Sequence, residues 1–503
     1  MESKLPKIMY DQDQFSPVYW FNDSWISFYS YKEVERISGY APQGWILYSQ
    51  AEPESFFFGA YPTETLKKEA ETGLKNIMDN EFITFLNSIF SQMHKKTKEV
   101  SRRYFKEFYK KEKEFILNNP QEVVSLINEI RNAVSFCMPC YILTQPQRFY
   151  EVEKIINEKN NPELKILSET SHTLTDLMLL KKQIAHIAKR IKESNLVLDE
   201  FFEKNTSELA TLGKTLEDLS LVRWNLFEEK IFDMDEVKSE IQYFLNNENK
   251  LDGELQTIKD VERNIVERRK VDMKDEYYFM ADAIGKFTLY RYNTNSYIPH
   301  LVNIIKKFGE ALQELYGLQE KEFDAYNLQE ILDLIEKGKK VEKELIDRRK
   351  KGYLAIYNSE GMSEYFGDEA REIVRELLEY RQKVKKEIKK TKGNVASFPL
   401  GISKLIEGEV FVLRSAINIE KNIADFKEGH IFIATQTHPA VVPIMQKAKA
   451  IVTDEGGITC HAAIVSREIG KPCIVGSEIA TQIFKTGDRA RLNLETGEIE
   501  KIF

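Results

Sequence analysis

The stretch "TDEGGITCHAAIVSREIGKPCIVG", from Thr453 to Gly476, concentrates residue types able to do chemistry. A glycine pair, Gly456 and Gly457, leads to Thr459, Cys460 and His461, the last being one of only 7 histidines in 503 residues. The missing Cβ atoms of the pair allow positive φ and let another molecule approach the backbone closely. Thr459 has the side chain of an N-cap, and "CHAAIVSREIG" reads as about three helical turns closed by Gly470 and Pro472. His461 then falls in the first turn. Unpaired N–H groups and a partial positive charge there favour an anion such as a phosphoryl group and disfavour imidazolium. A neutral imidazole is the form a nucleophile needs. Ala462, Val465 and Ile469 make an i, i+3, i+7 stripe that can pin the helix on a sheet and leaves His461 off its centre. Ala462 and Ala463 are small enough not to crowd a visiting substrate, and Arg467 on the same helix is a secondary candidate. These residues alone leave two readings open, a nucleophile and a first-turn histidine that only packs or caps.

The elements that must position this segment are short. "GEVFVLRS", "HIFIAT", "AKAIVTD", "KPCIVG", "RARLNL" and "EIEKIF" are β-rich runs alternating with short helices, which predicts a compact α/β domain over 401–503. Its last two runs straddle Glu495, Thr496 and Gly497, a loop suited to a hairpin. Over 63–392 apolar residues recur at three and four residue spacing, as at Ile184, Ile187 and Ile191, and predict a helical body. Pro120 and Pro162, each after an Asn pair, are placed as first helical residues. The charged run from Lys339 to Lys351 reads as solvated helix surface. In "KKTKGNVASFPLG" the residues Gly393, Pro399 and Gly401 break the helical pattern, which predicts a linker over 393–400. Residues 1–62 form an aromatic-rich segment holding Trp20, Trp25 and Trp45, read as packing against the helices that follow, with a platform for an aromatic or sugar-like ligand as the alternative. The fold class expected is α + α/β: a large, mostly α-helical body followed by a compact C-terminal α/β domain.

Composition narrows the function classes. A net charge of −8 gives no electrostatic reason to coat nucleic acid or an anionic membrane. No apolar run approaches the roughly 20 residues of a membrane helix, and "MESKLPKIMYDQDQ" lacks the apolar stretch of a signal peptide, so a cytoplasmic protein is expected. Four cysteines do not make a disulfide framework in a chain this long. Cys137 and Cys140 form one "CMPC", read as structural thiols, a redox pair or half a zinc site being the alternatives. No metal cluster is visible in the sequence.

The string "GGITCHAAIVSREIGKPCIVG" resembles the signature of the phosphohistidine, or swivelling, domain of phosphoenolpyruvate-utilising enzymes: phosphoenolpyruvate synthase, pyruvate phosphate dikinase and rifampicin phosphotransferase-like enzymes. "GHIFIATQTHPAVVPIMQKAKAIVTDE" and "TGDRARLNLETGEIEKI" are similar to the segment before it and the closing hairpin after it, so the likeness spans 401–503. A fainter likeness to the helical segment preceding that domain covers about 261–367, in "VERNIVERRKVDMKDEYYFMADAIGKFTLYRY", "FDAYNLQEILDLI" and "LIDRRKKGYLAIYNSEGM". The resemblance implies that His461 is the residue phosphorylated and that Gly456 and Gly457 form the loop admitting phosphate donors. It further implies that Thr459 sits where some members are regulated and that Cys460 is the residue type of the synthase branch. Thr437 and Pro439 match the Thr-x-Pro docking turn, with His438 where an acidic residue is common.

The full reaction of such enzymes also needs an ATP-grasp unit and an acceptor site, and neither a glycine-rich phosphate loop nor a following barrel is found in the sequence. The resemblance therefore implies a split enzyme. A separate ATP-grasp protein would bind ATP and Mg2+, and this chain would carry the phosphoryl group on His461 to a small-molecule acceptor, with the helical body as the acceptor-binding domain. The alternatives are a phosphocarrier relay to another protein and a non-catalytic helical scaffold that retains the swivelling domain.

Overall fold

The computed structural model describes the chain apart from residues 1–33, 40–44, 52–53, 59–62, 145, 195, 220–232, 320–321, 359–360, 377–389, 400, 414–422, 438–440, 455–459, 478 and 503. The chain divides into two compact units. One comprises the described residues within 18–41 and 68–346, the other those within 42–67 and 347–503.

The first unit is helical, as the spacing predicts. After α1 (Thr63–Asn76), whose first residues belong to the second unit, come α2 (Asn80–Arg103), α3 (Glu112–Asn118), α4 (Pro120–Leu143), α5 (Pro146–Glu158), α6 (Pro162–Glu169) and α7 (Asp176–Ser194). Then follow α8 (Leu198–Lys204), α9 (Thr206–Leu219), α10 (Met234–Asn246), α11 (Glu248–Arg269), α12 (Glu276–Tyr316), α13 (Leu328–Lys337) and α14 (Lys343–Lys351), whose residues from Asp347 on belong to the second unit. Pro120 and Pro162 each open a helix, where a missing N–H costs nothing. The Asn161 side chain caps α6 by accepting from the Glu163 amide at 2.8 Å. Ile184, Ile187 and Ile191 line the buried face of α7. The central element is α12, 41 residues long, started by Asp275 accepting from the Tyr277 amide and stopped by Gly317 in the left-handed region. It packs against α2, α4 and α6.

The second unit holds two sheets. The smaller, β2-β1-β3-β4, pairs β1 (Trp45–Ala51) and β2 (Glu54–Phe58) with β3 (Tyr353–Asn358) and β4 (Gly361–Phe366), all antiparallel. This corrects the helical reading of 353–366. The local sequence carries no sign of the pairing, because the strand that covers β3 comes some 300 residues earlier, at Trp45 to Tyr357 in register. Trp20 and Trp25 lie outside the described residues.

The larger sheet runs β5-β12-β11-β7-β8-β9-β10-β6. Its strands are β5 (Lys390–Lys392), β6 (Asn394–Ser397), β7 (Leu405–Leu413), β8 (Ile431–Ala434), β9 (Ala450–Thr453), β10 (Cys473–Val475), β11 (Arg489–Asn493) and β12 (Glu498–Ile502), with helices α15 (Val442–Lys447), α16 (His461–Glu468) and α17 (Ala480–Ile483) between them. The six predicted β-rich runs are β7 to β12, and β11 and β12 form the expected hairpin. Strands β7, β8, β9 and β10 are parallel neighbours.

The stretch expected as a linker is instead built into the sheet. β5 pairs with β12 and β6 with β10, at opposite ends of the strand order, although only Gly393 separates the two strands. The sheet therefore closes on itself across Gly393. Glycine and proline broke the helical pattern, as read, but Asn394–Ser397 between them pairs as a strand with β10, and Val395 and Ala396 join the apolar clusters.

Alternate side chains of the parallel strands go to two apolar clusters. Phe411, Phe432, Ile451 and Cys473 join Ile444 and Met445 of α15 and Ala462 and Ala463 of α16. Val410, Ile431, Val452 and Ile474 join Leu492, Ile499 and, from α17, Ile483. Closure brings backbones into contact: the Gly393 amide donates to the Gly497 carbonyl at 2.9 Å. Gly497 has φ +75°, and a Cβ there would lie 2.0 Å from the Gly393 oxygen. Gly497→Ala is expected to cost more than about 1 kcal/mol, from the left-handed backbone and the clash together. Amide hydrogen exchange should quicken across 489–502 and stay unchanged across 276–316. Unchanged exchange in 489–502 would show that the sheet does not depend on this contact.

Candidate active site

The site segment leaves the sheet from β9, whose residues Ala450 to Thr453 are buried on both faces. Residues 455–459 lie outside the described residues, and with them Gly456, Gly457 and Thr459. The helix then starts at His461, with Cys460 at the N-cap in extended conformation (φ −72°, ψ 164°) and no side-chain cap. This moves the cap one residue beyond Thr459. Residue preference pointed to the threonine because a hydroxyl caps well and a thiol poorly, but backbone dihedrals and not side-chain type define the position.

Helix α16 has 8 residues, about two turns instead of three. Gly470, with φ +64°, follows its end as read from the sequence. Ala462 and Ala463 are buried, and Val465 and Ile469 pack partly buried on the same cluster. The predicted stripe holds the helix on the sheet, with Ala463 added to it. His461 is thus the first helical residue after a central parallel strand, at the carboxyl edge where α/β sheets place their ligands.

The strand end before this helix is fixed by a residue that sequence reasoning missed. Asp454, 4% exposed, accepts from the Ser477 hydroxyl at 2.9 Å and from the Thr481 amide at 3.1 Å. The Thr481 hydroxyl donates to its second oxygen. The Asp454 amide donates to the Ala434 carbonyl and the Ser477 amide to the Thr453 carbonyl. One residue so ties together four places: its amide joins the ends of β8 and β9, and its carboxylate joins them to the turn after β10 and the start of α17. Burial pushes its pKa up to about 6, against the pull of the Thr481 and Ser477 donors. An acidic residue at a strand's end, just before a glycine pair, was the signal available in the sequence.

The remaining sequence candidates separate. Arg467 donates through Nε to the Ala396 carbonyl at 2.9 Å, which fastens α16 to β6. Cys460 is half-buried against the apolar cluster. Thr437 is half-buried in the turn after β8, and Pro439 is outside the described residues. Cys137 and Cys140 are free thiols buried on α4; burial raises both pKa values, that of Cys140 to about 12. Burial of that kind suits structural thiols and not reactive ones. Among the described residues no three His, Cys, Asp or Glu side chains are grouped to hold a metal, and no helix is long and apolar enough to cross a membrane.

Residues 426–497 match the family described as PEP-utilising enzyme, mobile domain. A probable phosphoenolpyruvate synthase of Archaeoglobus fulgidus is 43% identical over 126 residues, which is 25% of this chain and 16% of that protein. The phosphoenolpyruvate synthase of Pyrococcus furiosus is 55% identical over 80 residues, covering 16% of this chain and 9% of that protein. That of Helicobacter pylori is 44% identical over 96 residues, covering 19% and 11%. The shared segment is thus at most about a sixth of these relatives' own length. A solved aconitase X from Thermococcus kodakaraensis is similar over 23% of this chain and 98% of its own, at 19% identity and a TM-score of 0.18, which bears on neither fold nor function here. The second unit carries a mobile domain of the PEP-utilising type, the domain that bears the phosphohistidine.

Asp454 makes a pH prediction whose sign is fixed by the raised pKa. Its folded value of about 6 lies above the ordinary 3.8, so folding favours the protonated form. The stability this lends is complete below about pH 4 and is lost as pH rises through 6. Relative to Asp454→Asn, the wild-type domain should lose roughly 2 kcal/mol between pH 4 and pH 7. Urea titrations read by hydrogen exchange in the 450–494 peptides measure this, and a difference constant across that range contradicts it.

Proposed function

We propose that this chain is the phosphohistidine-carrying subunit of a split, phosphoenolpyruvate synthase-like phosphotransferase. His461 receives a phosphoryl group that originates on ATP bound by a separate ATP-grasp protein, and passes it to a small-molecule acceptor bound by the helical body. The observation that carries this reading is the place of His461, first residue of a helix leaving a central parallel strand, inside the segment matched to the mobile domain. The relatives named phosphoenolpyruvate synthase support phosphoryl transfer as the reaction class.

A neutral imidazole is the form that attacks phosphorus, and the partial positive charge of a helix's first turn disfavours an imidazolium. A ring nitrogen attacks phosphorus in line, an N–P bond forms as the P–O bond to the donor breaks, and the negative charge leaves with the donor. An acceptor oxygen then attacks the same phosphorus, and the electron pair of the N–P bond returns to the ring. Asp454 and its donors keep the exit of β9 in place during both steps. Mg2+ and ATP are assigned to the ATP-grasp partner, where the metal shields phosphate charge.

The isolated chain should show little ATPase activity. With ATP, Mg2+ and its ATP-grasp partner it should gain an acid-labile, base-stable phosphate on the peptide holding His461, and His461→Ala should gain none. Mass spectrometry that finds no such label, or finds it intact in His461→Ala, overturns the carrier reading. A relay to another protein would keep its label among small metabolites and lose it only when a second protein is added. A scaffold would retain biological activity in His461→Ala.

A further inference from the structure

The larger sheet closes across Gly393 by backbone contact, and one side chain crosses the same closure. The hydroxyl of Thr391, a half-buried residue of β5, donates at 2.6 Å to the carbonyl of Ser477 in the turn after β10. Ser477 is fully buried, and each of its three polar groups is engaged. Its carbonyl accepts from Thr391, its amide donates to the Thr453 carbonyl at 3.0 Å, and its hydroxyl donates to Asp454 Oδ1 at 2.9 Å. The turn is held on one side by the first strand of this sheet in chain order. On the other it holds the last two residues before the segment 455–459, which leads to His461.

These contacts stand where the strand ladder gives out. The pairing of β9 with β10 ends at Val452 and Ile474, and the glycine pair that follows Asp454 has no side chain with which to pack. The far end of the segment is fixed by Ala462 and Ala463 on the apolar cluster and by Arg467 on the Ala396 carbonyl. The near end is fixed by the hydrogen bonds of Thr453 and Asp454. A valine at 391 would fill the volume of the threonine and suit a strand as well. What the hydroxyl adds is therefore direction, since a hydrogen bond constrains two backbones that apolar contact would let slide.

We propose that Thr391 is a positioning residue for phosphoryl transfer at His461, acting through Ser477 and Asp454 on the point where the chain leaves β9. The inference rests on the reading that His461 carries a phosphoryl group. The path is short: one hydrogen bond from β5 to Ser477, one from Ser477 to Asp454, and the covalent chain from there to His461. In-line attack tolerates little displacement of the nucleophile, so a shift at the exit of β9 is felt in the rate of transfer.

The test uses the full chain and phosphoramidate, a small anionic phosphoryl donor, with label on His461 followed by mass spectrometry. Thr391→Val keeps the shape and removes the hydroxyl. It should take up label about three- to tenfold more slowly than the wild type, the net worth of one hydrogen bond, and Thr391→Ser should recover most of that loss. In a Ser477→Ala chain the side-chain link to Asp454 is already cut, so adding Thr391→Val should slow uptake by less than about twofold. A merely structural threonine would shift the urea midpoint and leave uptake by the folded chain unchanged. Uptake by Thr391→Val equal to wild type, or its full loss repeated in the Ser477→Ala chain, overturns the proposal. Thr391→Ala replaces the valine variant if that fails to fold by circular dichroism. Should the wild type take no label on His461, the carrier reading fails. Amide hydrogen exchange across 455–461 then still decides whether Thr391 positions this segment: it should quicken in Thr391→Val and recover in Thr391→Ser, and unchanged exchange overturns the positioning.

Discussion

The C-terminal sheet depends on one close approach of backbones, at Gly393. β5 and β6 are neighbours in sequence and yet belong to opposite ends of the strand order, so the chain must pass from one to the other where those ends meet. A Cβ on Gly393 would lie 2.6 Å from the Val475 oxygen, so a side chain there would hold the ends apart. Once closed, the sheet gives each parallel strand two apolar sides. Burial of a single Val or Ile side chain is worth about 1.5–3 kcal/mol, and here alternate residues gain it on both faces. The packing of Ala462 and Ala463 on one of those faces sets where α16 lies, and so where His461 begins.

Polar contacts then fix what apolar packing leaves free. A helix held by alanines and a valine could slide along the sheet; Arg467 on the Ala396 carbonyl stops it. A buried carboxylate without donors would cost several kcal/mol, and Asp454 is tolerated because a serine hydroxyl, a threonine hydroxyl and a threonine amide all point at it. Those donors come from elements more than 20 residues further along the chain, so the end of β9 is positioned by parts of the fold that the local sequence does not contain.

The helical unit uses the same division of labour. Its bulk is apolar contact between long helices, and buried polar groups set their register. Arg268 of α11, 2% exposed, donates to the Leu167 and Thr170 carbonyls at the end of α6 and to Asp282 of α12 at 2.7 Å. Burial alone would raise the Asp282 pKa, but hydrogen bonds from His172 and Lys286 and the Arg268 guanidinium hold it below the usual carboxylate range. Three helices are thereby joined at one guanidinium, whose five donors can serve several acceptors at once.

Elements with a strong local period were legible from the sequence. The isoleucines of α7 and the prolines opening α4 and α6 follow from helix geometry. The runs that became β7 to β12 follow from β-branched content between glycines, because each depends on residues a few positions apart. The place of His461 near a helix start was legible for the same reason, through the glycine pair, the small residues and Gly470. What the sequence did not reveal is every feature made by distant partners: the pairing of β1 with β3, the conversion of the supposed linker at 393–400 into β6, the cap at Cys460 in place of Thr459, and the donors that gather on Asp454. Residue order determined which segments could bury an apolar face and which could end a helix. Only the tertiary structure decided which strand covers which edge and which hydroxyl meets which carboxylate, because those choices depend on backbones and side chains that meet in space while lying tens to hundreds of residues apart in the chain.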